Sequence, residues 1–216
     1  MKMRIIGTLI TILGLSVLWG QTDLCRPSVF KDGSIWKGSD VIEMFTLTNA
    51  SGMSIKVTNY AASLTDVSVP DRQGQFEHVV LGFDSLESYL ERHPKFGATI
   101  GRFANRIRNA EFSLNGQTYH LEKNNKEHSI HGGTNGFNRQ VFKTDTFYTV
   151  KDTAIVVFKY KSAHLEGGFP GNIELSIAYK LTNHNEIVLE YTATTDKPTV
   201  VNFTNHSYFN LTGCTR

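Results

Sequence analysis

The sequence predicts an all-β fold, a large antiparallel β-sandwich, and three observations carry that expectation. Residues 172–180 and 186–194 alternate apolar and polar positions with a period of two: Ile173, Leu175, Ile177 and Tyr179, then Ile187, Leu189, Tyr191 and Ala193. Strands with one covered face read this way, because successive side chains point to opposite sides. Asn115-Gly116 stands between Phe112/Leu114 and Tyr119/Leu121, the most favoured two-residue hairpin turn because both residue types tolerate positive φ. Nothing reads as a βαβ unit, an internal repeat or a linker, so there are no crossover helices to make strands parallel.

Taken in order, the chain opens with Lys2 and Arg4 ahead of an apolar run from Ile5 to Trp19, closed by Gly20-Gln21. The run is short for a bilayer span and no stop-transfer charges follow, so residues 1–20 read as a signal peptide and the protein as exported, periplasmic or secreted. No stable membrane insertion is expected after cleavage. Leu24 before Cys25 is too large for a lipoprotein cleavage site. The remainder, residues 21–216, reads as one domain: 40% of the chain is hydrophobic, enough for one substantial core. The 22 Lys and Arg exceed the 20 Asp and Glu only by Lys2 and Arg4, so the mature chain has no basic excess, and nucleic acid is not expected as a partner. Cys25 and Cys214 could pair in an oxidising compartment, but their pairing is left open, as is oligomeric state.

Short apolar or alternating runs at residues 41–48, 54–60, 63–69 and 79–81 are read as strands, separated by Asn, Ser, Gly and Pro. A turn or two of helix is expected at residues 85–92, with Asp84 as cap and Glu87 reaching back. The Asn115-Gly116 hairpin follows, then strands at 154–160, 172–180 and 186–194, the last two joined through Thr182-Asn183-His184-Asn185.

Three polar stretches carry candidate chemistry. Residues 97–107 (GATIGRFANRI) have glycines but lack the strand-loop-helix context of a phosphate loop. Asn105-Arg106 could be solvated surface, yet the pair offers a fixed set of donors suited to hydroxyl oxygens or anions. In Ser129-Ile130-His131-Gly132-Gly133 the glycines allow a sharp turn and a close approach of ligand to backbone. His128 and His131 make at most an H-x-x-H pair, and without a third ligand no metal site is expected. Residues 201–211 (VNFTNHSYFNL) crowd His206, three asparagines and hydroxyl groups among apolar residues, the composition of a strand end presenting polar groups to a ligand.

With these motifs the chain resembles the galactose mutarotase (aldose 1-epimerase) family along nearly its whole mature length. The resemblance rests on Val80-Leu81-Gly82-Phe83-Asp84, GATIGRFANRI from Gly97, HGGTNGF from His131, EGGFPGN from Glu166 and VNFTNHSYFNL from Val201. It implies a galactose mutarotase-like sandwich that interconverts the α and β anomers of a free aldohexose such as galactose or glucose, with no metal and no organic cofactor. It further implies that Asn105 and Arg106 bind sugar hydroxyls, that His131 is a sugar-binding and catalytic residue, and that His206 is the general acid. A histidine suits that task, since an ordinary imidazole gains and loses a proton near neutral pH. The family's general-base glutamate and a further substrate-binding aspartate lie downstream of the TNHSYFN motif, and no residue within the 216 matches them. Glu166 and Asp196 are not assigned to the role. The chain is therefore expected to be C-terminally truncated, a fragment of a longer protein, or else disabled.

Two other classes stand beside the enzyme. One is a noncatalytic carbohydrate-binding β-sandwich. The other is a secreted structural sandwich whose Asn-x-Ser/Thr sites at Asn49, Asn202, Asn205 and Asn210 accept glycans.

Overall fold

A computed structural model describes residues 26–214. The expected signal peptide at residues 1–20 and Cys25, and with it the question of a Cys25–Cys214 pair, lie outside the described residues.

Strands β1 (Ser28–Lys37), β2 (Asp40–Thr48), β3 (Ser54–Thr58), β4 (Ser63–Pro70) and β5 (Phe76–His78) form one five-stranded antiparallel meander. After it come a short helix α1 (Leu86–Leu90) and a set of two-stranded ribbons built from β6 (Thr99–Ile100), β7 (Arg106–Ile107), β8 (Glu111–Leu114), β9 (Gln117–His120) and β10 (Ser129–Ile130). A second meander, of four strands, follows: β11 (Lys143–Val150), β12 (Thr153–Ser162), β13 (Ile173–Thr182) and β14 (Ile187–Thr195). The last strand, β15 (Thr204–Asn205), returns to pair with β6.

The two meanders meet face to face through the alternation read above. Phe45, Leu47, Ile55, Val57 and Leu64 from the first sheet and Val156, Phe158, Leu175, Ile177 and Tyr179 from the second belong to one buried cluster. Along β13 the odd positions from Ile173 to Leu181 are buried while Glu174, Ser176 and Lys180 are not, which fixes the register, since a one-residue slip would turn the whole set outward. Phe158 is fully buried, with its ring 6.0 Å from Phe45 and 6.2 Å from Tyr179. The buried Tyr179 hydroxyl donates to Ala62 O at 2.6 Å, so the polar atom carried into the core is satisfied. On β14 the same alternation reaches only partial burial at Ile187, Leu189 and Tyr191, because among the described residues this strand pairs only with β13.

The Asn115-Gly116 hairpin forms as expected: Phe112 faces Tyr119 across β8 and β9, and both turn residues have positive φ, 51° and 79°. Other expectations shift. Residues 79–81 make no strand; Val80 forms a single bridge to Phe209. The helix cap is Ser85 rather than Asp84, its Oγ accepting from Ser88 N–H at 3.3 Å. Strands β1 and β11 were not anticipated, because their sequences SVFKDGSIWK and KTDTFYTV are polar and mostly exposed and give a weak period-two signal.

Removing the Phe158 ring leaves a cavity where the two sheets touch. Phe158→Ala is expected to cost about 3–5 kcal/mol, read as a fall in the urea unfolding midpoint at unchanged slope.

Candidate active site

The site is built where the returning tail crosses the 97–107 segment. His206 N–H donates to Ala98 O at 2.9 Å, and Gly97 N–H donates to His206 O at 3.2 Å. Asn205 Nδ2 donates to Gly97 O at 2.7 Å, so backbone and side chain lock the tail to the same two residues, Gly97 and Ala98. Gly97 is required there: with φ at +64°, a Cβ would lie 1.7 Å from Leu64 O, a collision with backbone that nothing flexible can relieve.

The second histidine comes from the loop after β10. His131 N–H donates to Asn105 O at 3.0 Å, and Asn105 N–H donates back to His131 Nδ1 at 3.1 Å. Both residues sit in the left-handed region, with φ of +57° and +67°, a conformation that asparagine tolerates and histidine adopts at a cost. Gly132 follows because a Cβ there would stand 1.9 Å from Gly101 O; the sharp turn expected of HGG forms, and the close neighbour its missing Cβ admits is the Gly101 backbone.

These contacts bring the four sequence-predicted residues together. The rings of His131 and His206 meet edge to face with centroids 5.2 Å apart, and His206 lies 5.1 Å from the Tyr208 ring. Arg106 Nη1 donates to Asn105 Oδ1 at 3.3 Å and Arg106 Nε to Asn125 Oδ1 at 3.3 Å, leaving guanidinium donors over for a ligand. Because His131 Nδ1 accepts a hydrogen bond, the proton of the neutral ring belongs on Nε2, which becomes a donor. Burial, then the charges of His206, Lys95 and Arg106, depress the His131 pKa to about 4, so this ring is neutral at pH 7. His128 stands apart from the pair as a capping group, its Nδ1 accepting from Asn109 N–H at 3.1 Å. Among the described residues no cluster of three potential metal ligands occurs.

Sequence reasoning missed the residue that holds this loop in place. Arg102 is 2% exposed. Its Nε donates to Ser162 Oγ at 2.8 Å, Nη1 to Pro170 O and Gly171 O at 2.9 Å each, and Nη2 to Ser162 O at 3.0 Å and Ala163 O at 2.6 Å. The EGGFPGN motif thus supplies carbonyls to a buried cation. Its acid is also occupied: Glu166 Oε1 accepts from Tyr160 OH at 2.9 Å and Oε2 from Ala163 N–H at 3.1 Å. Asp196 accepts from Asn172 N–H at 2.7 Å. Among the described residues no carboxylate pairs with His131 or His206.

The Asn-x-Ser/Thr sites are equally committed. The amide nitrogens of Asn49, Asn202, Asn205 and Asn210 donate to Thr182 O, Ala104 O, Gly97 O and Gly213 O. Each is a bond within the fold, which tells against a role as displayed glycan acceptors.

The architecture and its rim of hydrogen-bond donors define a large antiparallel β-sandwich protein with a polar site where the returning tail meets the 97–107 and 131–136 segments. Known proteins agree with that class. The aldose 1-epimerase family model matches residues 43–215, and the chain belongs to that family. It is 38% identical to the galactose mutarotase of Mus musculus over 181 residues, 84% of this chain and 51% of that protein. It is 34% identical to the aldose 1-epimerase of Escherichia coli K12 over 187 residues, 87% of this chain and 51% of that protein. The crystal structure of galactose 1-epimerase from Lactobacillus acidophilus NCFM superposes with a TM-score of 0.76 at 30% identity, covering 87% of this chain and 54% of that one. An aldose epimerase homologue from C. elegans gives 0.70 at 30% identity over 76% of this chain and 49% of the other. The chain spans about half the length of the relatives it matches.

Two outcomes are expected. Arg102→Met strands buried carbonyls without a donor and should cost on the order of 3 kcal/mol or more, measured by chemical denaturation. For His131, the folded pKa lies below the ordinary value of 6.5, so on acidification the unfolded chain binds this proton first. Its contribution to stability is unaffected above pH 6.5 and is lost as pH falls from there towards about 4. His131→Gln should flatten the acid-side decline in unfolding free energy across that window, and the His131 ring resonances should titrate near its lower end.

Proposed function

We propose that the Asn105, Arg106, His131 and His206 cluster binds the pyranose form of a free aldohexose, galactose or glucose, and serves interconversion of its anomers. The observation that carries this is the edge-to-face His131–His206 pair, 5.2 Å between centroids, with the Asn105–Arg106 donors hydrogen-bonded beside it. A ring held against these donors loses the rotational freedom that otherwise opposes a concerted proton transfer.

In this reading His206 donates a proton to the ring oxygen as the bond from that oxygen to the anomeric carbon breaks. The anomeric hydroxyl gives up its proton to a base, and its oxygen becomes the aldehyde carbonyl. Rotation about the bond next to the aldehyde carbon and reversal of both transfers close the ring as the other anomer, so protons and electrons balance with no redox step. His131, neutral with its proton on Nε2, donates a hydrogen bond to the sugar, and Arg106 and Asn105 fix the orientation of the hydroxyls. The base is the part these residues do not supply, since Glu166 and Asp196 are bound elsewhere. With Glu166 and Asp196 so engaged, a second reading is sugar binding without turnover.

Polarimetry on freshly dissolved α-galactose, run beside calorimetric titration with the same sugar, separates the readings. Binding with no acceleration is the expected result for the isolated chain, and acceleration at catalytic concentrations would refute the second reading. Where turnover is observed, in this chain or a longer form, His206→Asn should lower it by on the order of 10²-fold or more with the thermal unfolding curve retained. Arg106→Ala should act mainly on KM; turnover indifferent to His206 would remove the proposed acid.

A further inference from the structure

Beside the sugar site, between the segment leading into Gly97 and the short 3-10 turn Phe137–Arg139, lies a cavity of about 80 Å³ lined by Arg92, His93, Lys95, Asn138 and Arg139. A water needs roughly 10–15 Å³ measured in this way, so the space admits a group of several heavy atoms. Three of its five lining residues are permanent bases and none is a carboxylate. Among the described residues none of the three enters an ion pair. Among the described residues the Arg139 guanidinium reaches only a backbone carbonyl, that of Glu91, at 3.4 Å.

The bases repel one another. Burial and then the charges of Arg139 and Arg92 hold the Lys95 ammonium below its usual range, and burial, opposed by the hydrogen bond to Tyr89 O and reinforced by the charges of Arg139 and Lys95, holds His93 down as well. Like charges gathered around a partly desolvated space destabilise a fold unless an anion offsets them. The chain as a whole is close to charge balance, 22 Lys and Arg against 20 Asp and Glu, so this excess is local rather than a sample of a basic surface. Asn138, 8% exposed, closes the remaining side of the cavity.

The cavity walls are the continuations of the two site segments. Lys95 stands two residues before Gly97, whose N–H holds His206 O, and its charge is felt at His131. Tyr208 OH reaches Pro94 O at 3.4 Å. Asn138 and Arg139 close the loop that begins at His131.

We propose that this cavity is an oxyanion subsite contiguous with the sugar site, and that it takes the phosphate group of a hexose phosphate. The proposal rests on the sugar-binding reading given above for Asn105, Arg106, His131 and His206. Three bases suit a doubly charged tetrahedral group better than a single carboxylate.

Calorimetric titration of the 216-residue chain at low salt with glucose, glucose 6-phosphate and inorganic phosphate tests it. Glucose 6-phosphate should bind at least about 10-fold more tightly than glucose, with a preference that shrinks as NaCl is added. Lys95→Met/Arg139→Met should bring that ratio close to unity, with circular dichroism checking the fold; the single change Arg92→Gln, at an exposed position, should lower the ratio if the double variant unfolds. Equal binding of glucose and its phosphate overturns the anion subsite and leaves the sugar reading standing. A preference that survives these substitutions overturns its location. Inorganic phosphate bound with neither sugar bound overturns the hexose phosphate assignment and the sugar reading together.

Discussion

The buried guanidinium of Arg102 is the constraint on which the site depends. A cation that is 2% exposed is tolerable only if its donors are consumed, and here they are consumed by Ser162 and by the carbonyls of Ala163, Pro170 and Gly171. Those acceptors sit at the end of β12 and in the connection to β13, within the second sheet of the sandwich. Arg102 therefore anchors the 97–107 loop to the most regular part of the fold. Three residues further on, Asn105 takes its left-handed turn, and through its paired hydrogen bonds with His131 that anchorage reaches the first histidine.

The second histidine is held by a different mechanism, and the two meet. Its backbone is bonded on both sides to the Gly97–Ala98 segment, and Asn205 closes the same link from its side chain. Two short ribbons, neither stable alone, thus share the 97–107 segment as a common partner. The edge-to-face contact of the imidazoles follows from that sharing. It also sets their electrostatics, since the His206 charge is second only to burial in depressing His131.

Much of the fold could be read in advance, and the reason is periodicity. The alternation in β13 and β14 and the Asn115-Gly116 turn are local signals that tertiary packing reinforced. β1 and β11 were invisible because their side chains are mostly exposed, so no burial was written into their sequences. The helix cap moved by one residue because Asp84 and Ser85 are both good caps, and Phe83, whose N–H is bonded to Tyr89 OH at 3.0 Å, fixes where the chain enters. At the site, His131 and His206 could be picked out by their glycine- and asparagine-rich settings and by the family resemblance. Arg102 and Lys95 could not. What distinguishes them is which carbonyls and charges gather around them from residues 40–70 positions away, and spacing carries no record of that.

The asparagine amides of the Asn-x-Ser/Thr sites place a limit on how the protein can be made. Oligosaccharide transfer in a eukaryotic secretory host acts on chains that have not yet folded, and a sugar joined to Asn205 Nδ2 would enter the very atom that donates to Gly97 O and to Tyr179 OH, at 2.7 and 3.2 Å. The modified chain could not then dock its tail onto β6. Bacterial cytoplasmic or periplasmic production avoids that dead end, whereas yeast or mammalian secretion invites it.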